Sequence, residues 1–139
     1  MDKSPEYILM CKKASEIQTS WEPSLGDIYT DESTQIHFYM PNKDGKIKKG
    51  FGVRPNGNLI EIEKLVWLPK LNQLMEMLGA SEKKFRDAGF GFFEWTKLNG
   101  YKPGMPENPF RSLEQIWLAY VMEKIFKKRW SGDNWTSLC

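Results

Sequence analysis

Histidine and cysteine are nearly missing from this chain of 139 residues. One histidine, His37, cannot assemble a multi-histidine metal site, and two cysteines, Cys11 and Cys139, lie far apart with no CxxC pair. Neither a disulfide framework nor metal-ligand spacing results, so no metal or other cofactor is expected. Charge of one sign is also lacking: 20 Lys+Arg stand against 18 Asp+Glu. A net charge of +2 sets up no field that by itself implies nucleic acid or an anionic membrane. No apolar run approaches the roughly 18 residues of a membrane-spanning helix. The opening residues have neither the apolar stretch nor the cleavage site of a secretory leader. The expectation is a soluble cytoplasmic protein that does not engage a membrane.

What is present is aromatic: six Trp, eight Phe and five Tyr, side chains that bury much area each. The longest apolar run, residues 116–122, lies inside the stretch RSLEQIWLAYVMEKIFKKRW. Ser112 followed three residues later by Gln115 is a capping-box start. Leu113, Ile116, Trp117, Tyr120 and Val121 recur at helical spacing, while Leu118, Ala119 and Met122 make the middle turns apolar all round. A helix apolar on every side is a central one. We expect it to run over residues 113–129 with the rest of the chain packed around it.

Before it, Ser4-Pro5-Glu6 reads as cap, first helical position and first-turn acid. Tyr7, Met10, Cys11, Ala14 and Ile17 then form one stripe, on which Cys11 reads as a small buried hydrophobe rather than a reactive thiol. Residues 28–30, 35–40, 46–54 and 59–63 read as a small antiparallel meander, with Asp44-Gly45 and Asn56-Gly57 as hairpin turns. Val66-Trp67-Leu68 is a lead-in to Pro69. Leu71, Leu74, Met75 and Leu78 trace a short helix stopped by Gly79. Phe85, Ala88, Phe92 and Trp95 trace another, weakened by Gly89 and Gly91. Residues 99–109 form a Pro- and Gly-rich loop. The length suits one domain spanning 1–139.

Residues able to do chemistry are few. Glu61 and Glu63 share a strand face and His37 shares one with Tyr39, yet nothing in sequence brings them a nucleophile or an orienting acid. Solvated sheet faces account for all four. The glycine pairs around Phe51 and Phe90 match no nucleotide-binding pattern. Lys46, Lys48 and Lys49 on one strand, with Lys127, Lys128 and Arg129 ending the central helix, are candidates for a nucleic-acid surface if they converge. The simpler account is cations complementing a helix dipole, with Glu123 and Lys127 as an i,i+4 pair. The apolar middle of the central helix admits a further option, a protein partner or a second copy as cover.

Three stretches, YILMCKKASEIQ leading to WEPSLGD, then WLPKLNQLMEML, then SLEQIWLAYVMEKIFKKRWSGDNW, resemble a family of small uncharacterised proteins encoded by bacteriophages and prophages, chiefly of Gram-positive bacteria. The resemblance implies a phage origin and a place in the host cytoplasm. Its matched positions are Trp, Pro, Leu and helix caps, so it transfers no catalytic residue. The expectation is therefore an α+β domain acting as a non-enzymatic accessory protein that binds a protein partner, homodimer included. Nucleic-acid binding ranks second and an enzyme third.

Overall fold

A computed structural model of the chain describes residues 1–40, 51–53, 59–79, 82–101 and 106–138. The fold is α+β, with a helix near the N-terminus, antiparallel strands and a helical C-terminal half. It divides into two compact units, one formed by Lys3–Pro69 and one by Met1–Asp2 with Lys70–Cys139. Among the described residues, no helix is long and apolar enough to cross a membrane.

The N-terminal unit begins with α1 (Pro5–Lys13), where the Ser4 hydroxyl accepts from the Tyr7 amide at 3.2 Å, as the Ser-Pro-Glu start predicts. Tyr7, Met10, Cys11, Ala14 and Ile17 are all buried, Cys11 among them. The helix does not run on to Gln18 as one piece. It breaks at Ala14 (φ −85°, ψ 72°) and resumes as α2 (Ser15–Thr19). The break is held by Gln18, whose side-chain amide donates to the Cys11 carbonyl at 3.0 Å, a group an unbroken helix would have used for itself.

Strands β1 (Ile28–Thr30), β2 (Ile36–Phe38) and β5 (Val66–Leu68) form one antiparallel sheet in the order β2-β1-β5. Among the described residues, strands β3 (Phe51–Val53) and β4 (Leu59–Glu61) pair with each other, and a 3₁₀ turn, Ile62–Lys64, follows. The expected lead-in at 66–68 is thus a strand, and it takes the place beside β1 that a simple meander would give to a later hairpin. Central β1 is buried at all three residues because both its faces are covered. Helix α1 packs on β5, and the Tyr7 hydroxyl donates to the Pro69 carbonyl at 2.6 Å. On the other face Trp67, Tyr29 and His37 sit opposite one another across the three strands. Trp21 stacks on Trp67 at 6.0 Å, and Tyr39 meets both Trp21 and Tyr29 edge-on.

In the C-terminal unit, α3 (Leu71–Glu76) and α4 (Glu82–Asn99) pack on α5 (Leu113–Phe126), which is buried continuously from Gln115 to Met122. Ser112 caps α5 by accepting from the Gln115 amide at 3.1 Å. The Asp2 carboxylate joins that cap, accepting from the Ser112 hydroxyl and from Gln115 Nε2, an acid at the positive end of a helix. The helix stops three residues short of the expected 129. Lys127 adopts the left-handed conformation (φ 55°), and residues 128–130 leave as β6 (Lys128–Trp130), paired with β7 (Trp135–Ser137). Facing Trp130 and Trp135, in contact at 5.0 Å, and the turn through Gly132 (φ 108°) make a hairpin of what charge alone reads as a helix end.

Candidate functional site

Four places could carry function: a Ser-Asp-His cluster, a groove, the cationic stretch and the outer face of α4. The first lies where β1 turns into β2. Asp31 Oδ1 accepts from the Ser33 hydroxyl (2.6 Å), the Ser33 amide (2.8 Å) and the Gln35 amide (3.1 Å), and its Oδ2 lies 2.8 Å from His37 Nε2. Burial by itself pushes the Asp31 carboxyl up. These hydrogen bonds outweigh it and hold the group well below the usual carboxylate range.

Three residue types of a hydrolytic triad are therefore together, but their order is wrong. Ser33 donates to the carboxylate and not to the imidazole, so no base receives its proton. What the cluster does is hold the turn in which Thr34, β-branched, sits at φ 65°. That conformation costs about 1–2 kcal/mol for such a residue. The sequence misread this face: His37 and Tyr39 were expected on solvated surface. Tyr39 is only 1% exposed, while Phe38 (54%) and Met40 (56%) of the opposite face lie in solvent. Alternation defines two faces and cannot say which one Trp21 will cover. Burial, together with the nearby Asp27 carboxylate, raises the Tyr39 pKa above its ordinary value, so its phenol stays neutral.

The groove runs beside α2. One lobe of about 460 Å³ is lined by Lys12, Ser15, Thr30, Glu32, Glu63 and Lys64, and a second of about 410 Å³ by Trp21 and Ile62. Gln18 and Thr19 border both lobes. Of the acids and the histidine flagged in sequence, Glu63 alone reaches it; Glu61 is exposed, and His37 is tied to Asp31. The Thr19 hydroxyl already donates to the Ser15 carbonyl at 2.8 Å, and Lys12 and Lys64 stand among three acids, Asp31, Glu32 and Glu63. The lining Asp31 is already engaged by His37 and by Ser33 of the turn it closes. Among the described residues, no group of three or more His, Cys, Asp or Glu side chains is placed to hold a metal ion.

Lys46, Lys48 and Lys49 lie outside the described residues. Of the C-terminal three, Lys127 caps the end of α5 as expected, Lys128 and Arg129 lie instead in β6, and Glu123 is not paired as expected. Arg129 Nη2 binds Glu123 Oε1 at 3.0 Å, taking the acid that Lys127 was to pair with, and the Lys127 ammonium donates to the Lys124 carbonyl at 3.1 Å. Local contacts engage these two cations.

Helix α4 is different in kind. Its inner side docks on α5 through rings: Phe92 stacks on Trp117 at 4.0 Å and Trp95 on Tyr120 at 5.2 Å. Gly91 permits this approach, because a Cβ there would stand 2.7 Å from the Tyr120 hydroxyl oxygen. Phe90, Phe93 and Leu98 do not dock; they are 68%, 59% and 86% exposed. Lys97 lies over the Phe93 ring at 5.7 Å. The sequence reading found the buried stripe but passed over these rings. The signal was there: in Phe90-Gly91-Phe92-Phe93 two of three phenylalanines fall out of phase with the stripe through Phe92 and Trp95.

No family model, curated protein or solved structure matches this chain.

Proposed function

We propose that this is a non-enzymatic accessory protein of phage or prophage origin that works in the cytoplasm of a bacterial host by binding a protein partner through the outer face of α4. The observation carrying this reading is the exposure of Phe90 and Phe93, three residues apart and neighbours on the helix surface. Isolated apolar residues on a surface are ordinary, whereas neighbouring ones mark interfaces. Leaving a large apolar side chain in water forgoes about 1.5–3 kcal/mol of burial, and aromatic rings are the side chains that anchor protein interfaces. Support also comes from the N-terminal unit, where Asp31, His37 and Ser33 hold a turn together rather than face a substrate.

The test is a photo-crosslinking benzoylphenylalanine at position 93 of the full-length protein, irradiated in bacterial lysate. Discrete adducts that fade when Phe90→Asp is added are expected. Diffuse labelling indifferent to Phe90→Asp would remove α4 as the binding site.

A further inference from the structure

The two edges of the three-stranded sheet are finished differently. On the outer side of β5 the Trp67 amide and carbonyl are both taken by Gln18. The Leu65 amide donates to the Ile62 carbonyl at 3.0 Å, and the Pro69 carbonyl accepts from the Tyr7 hydroxyl. Pro69 has no amide to give. That edge offers a further strand no free donor.

The outer side of β2 is open. Between β1 and β2 the Asp31 amide donates to the Gln35 carbonyl at 3.1 Å and the Tyr39 amide to the Asp27 carbonyl at 2.7 Å. Bonded and unbonded pairs alternate along an antiparallel ladder. His37 is therefore the β2 residue that bonds Tyr29, and Ile36 and Phe38 turn their amides and carbonyls outward. Among the described residues nothing bonds these outward groups. No lysine, proline or bulge guards the strand, as edges are commonly guarded. Side chains agree with the backbone. Along the cross-strand row Leu68, Ile28, Phe38, exposure rises from 0% through 4% to 54%, even with Lys3 Nζ over the Phe38 ring at 5.6 Å. The row stops where one more strand would cover it.

What completes such an edge is an extended backbone with its own outward groups unpaired and an apolar side chain to lie beside Phe38. Strand β2 supplies both. We infer that the β2 edges of two copies of the chain pair antiparallel and join their sheets. With the two-fold axis between the two copies of His37, Ile36 exchanges hydrogen bonds with the partner's Phe38, and symmetry repeats the exchange. The same register lays Ile36 beside the partner's Phe38 ring, a β-branched side chain against an aromatic one. The two His37 residues form the unbonded pair between, each imidazole held by its own Asp31 at 2.8 Å. The contact uses none of α4. A strand of three residues makes a short contact, so the dimer is a reversible one.

The experiment is amide hydrogen exchange by NMR on the full chain from micromolar to millimolar concentration, with sedimentation equilibrium alongside. The Ile36 and Phe38 amides should exchange more slowly as dimer accumulates, while the His37 amide, bonded within each sheet, stays slow throughout. Ile36→Pro removes an outward donor and no bond inside the sheet. It should weaken dimerisation about tenfold or more, and Phe90→Asp should leave it unchanged. Near-UV circular dichroism verifies that the proline variant is folded; if it is not, exchange in the unaltered chain decides. A chain that stays monomeric at millimolar concentration would overturn the pairing. So would a dimer whose Ile36 and Phe38 amides exchange freely, or one that folded Ile36→Pro leaves intact. A dimer lost with Phe90→Asp would move the contact to α4.

Discussion

The two units end their structure in opposite ways. In the N-terminal unit loose polar ends are tied off by side chains. The Gln18 amide accepts from the Trp67 N–H at 2.7 Å and donates to the Trp67 carbonyl at 2.9 Å. Trp67 lies in the edge strand β5, so one side chain stands in for the strand that would otherwise pair there. Asp31 closes the β1–β2 turn and Asp27 accepts from Trp21 Nε1 at 2.9 Å. In the C-terminal unit the reverse holds: α5 is packed on every side, yet α4 turns phenylalanines outward. Side chains thus close polar backbone in the N-terminal unit, although Thr30 Oγ1 and Trp67 Nε1 stay buried there without a hydrogen-bond partner, and α4 leaves apolar rings in solvent. The same kind of hydrogen bond engages residues that look catalytic in sequence, Ser33, Asp31 and His37 among them.

The largest effect that would break this contrast is in α5. Leu118→Ala should cost about 2–5 kcal/mol in urea denaturation, whereas Phe90→Asp should change stability by no more than about 0.5 kcal/mol. A large loss from Phe90→Asp would mean that the outer face of α4 belongs to the core after all. Next come the two glycines of α4. Gly91→Ala forces a Cβ against Tyr120, and overpacking of this kind costs about 1–3 kcal/mol. Gly89→Ala meets nothing within 4 Å and should stabilise by up to about 1 kcal/mol through helix propensity. Equal signs for the two would contradict the docking of α4 on α5.

In the N-terminal unit Gln18→Leu strands both Trp67 backbone groups and should lower stability by about 1–3 kcal/mol. A neutral result would show that water replaces the amide without penalty. The narrowest effect is confined to acid. Asp31 has its carboxyl held below the unfolded value of about 3.9, so its contribution is present above that pH and is lost as pH falls through the folded value. The wild-type chain should therefore lose stability more steeply than Asp31→Asn below about pH 4. Parallel acid curves would show that Asp31 is not the group stabilised.

Much of this contrast could be read beforehand where neighbours in sequence decide the structure. The Ser-Pro-Glu start of α1, its buried stripe and the Ser112 cap of α5 depend on contacts three and four residues apart. Strand β5 escaped because it is three residues long and its identity comes from pairing with β1, residue 67 against residue 29. The end of α5 escaped because a cationic run fits a helix terminus and a hairpin equally, and Trp135 decides between them from outside the run. The Asp31 cluster needed a turn with Thr34 in an unfavourable conformation, something no propensity announces. The outward rings of α4 were legible in phase, and only their exposure had to come from the structure.

The ring stack between α4 and α5 has an optical consequence. Trp95 and Tyr120 lie 5.2 Å apart with planes 16° from parallel, and Phe92 and Trp117 lie 4.0 Å apart at 8°. Chromophores this close couple their excited states, so the docking of α4 is expected to contribute to the near-ultraviolet circular dichroism, a contribution lost when α4 undocks. The chain thus offers a report on the seating of α4 on α5 without a dye, in any solution clear enough to pass light.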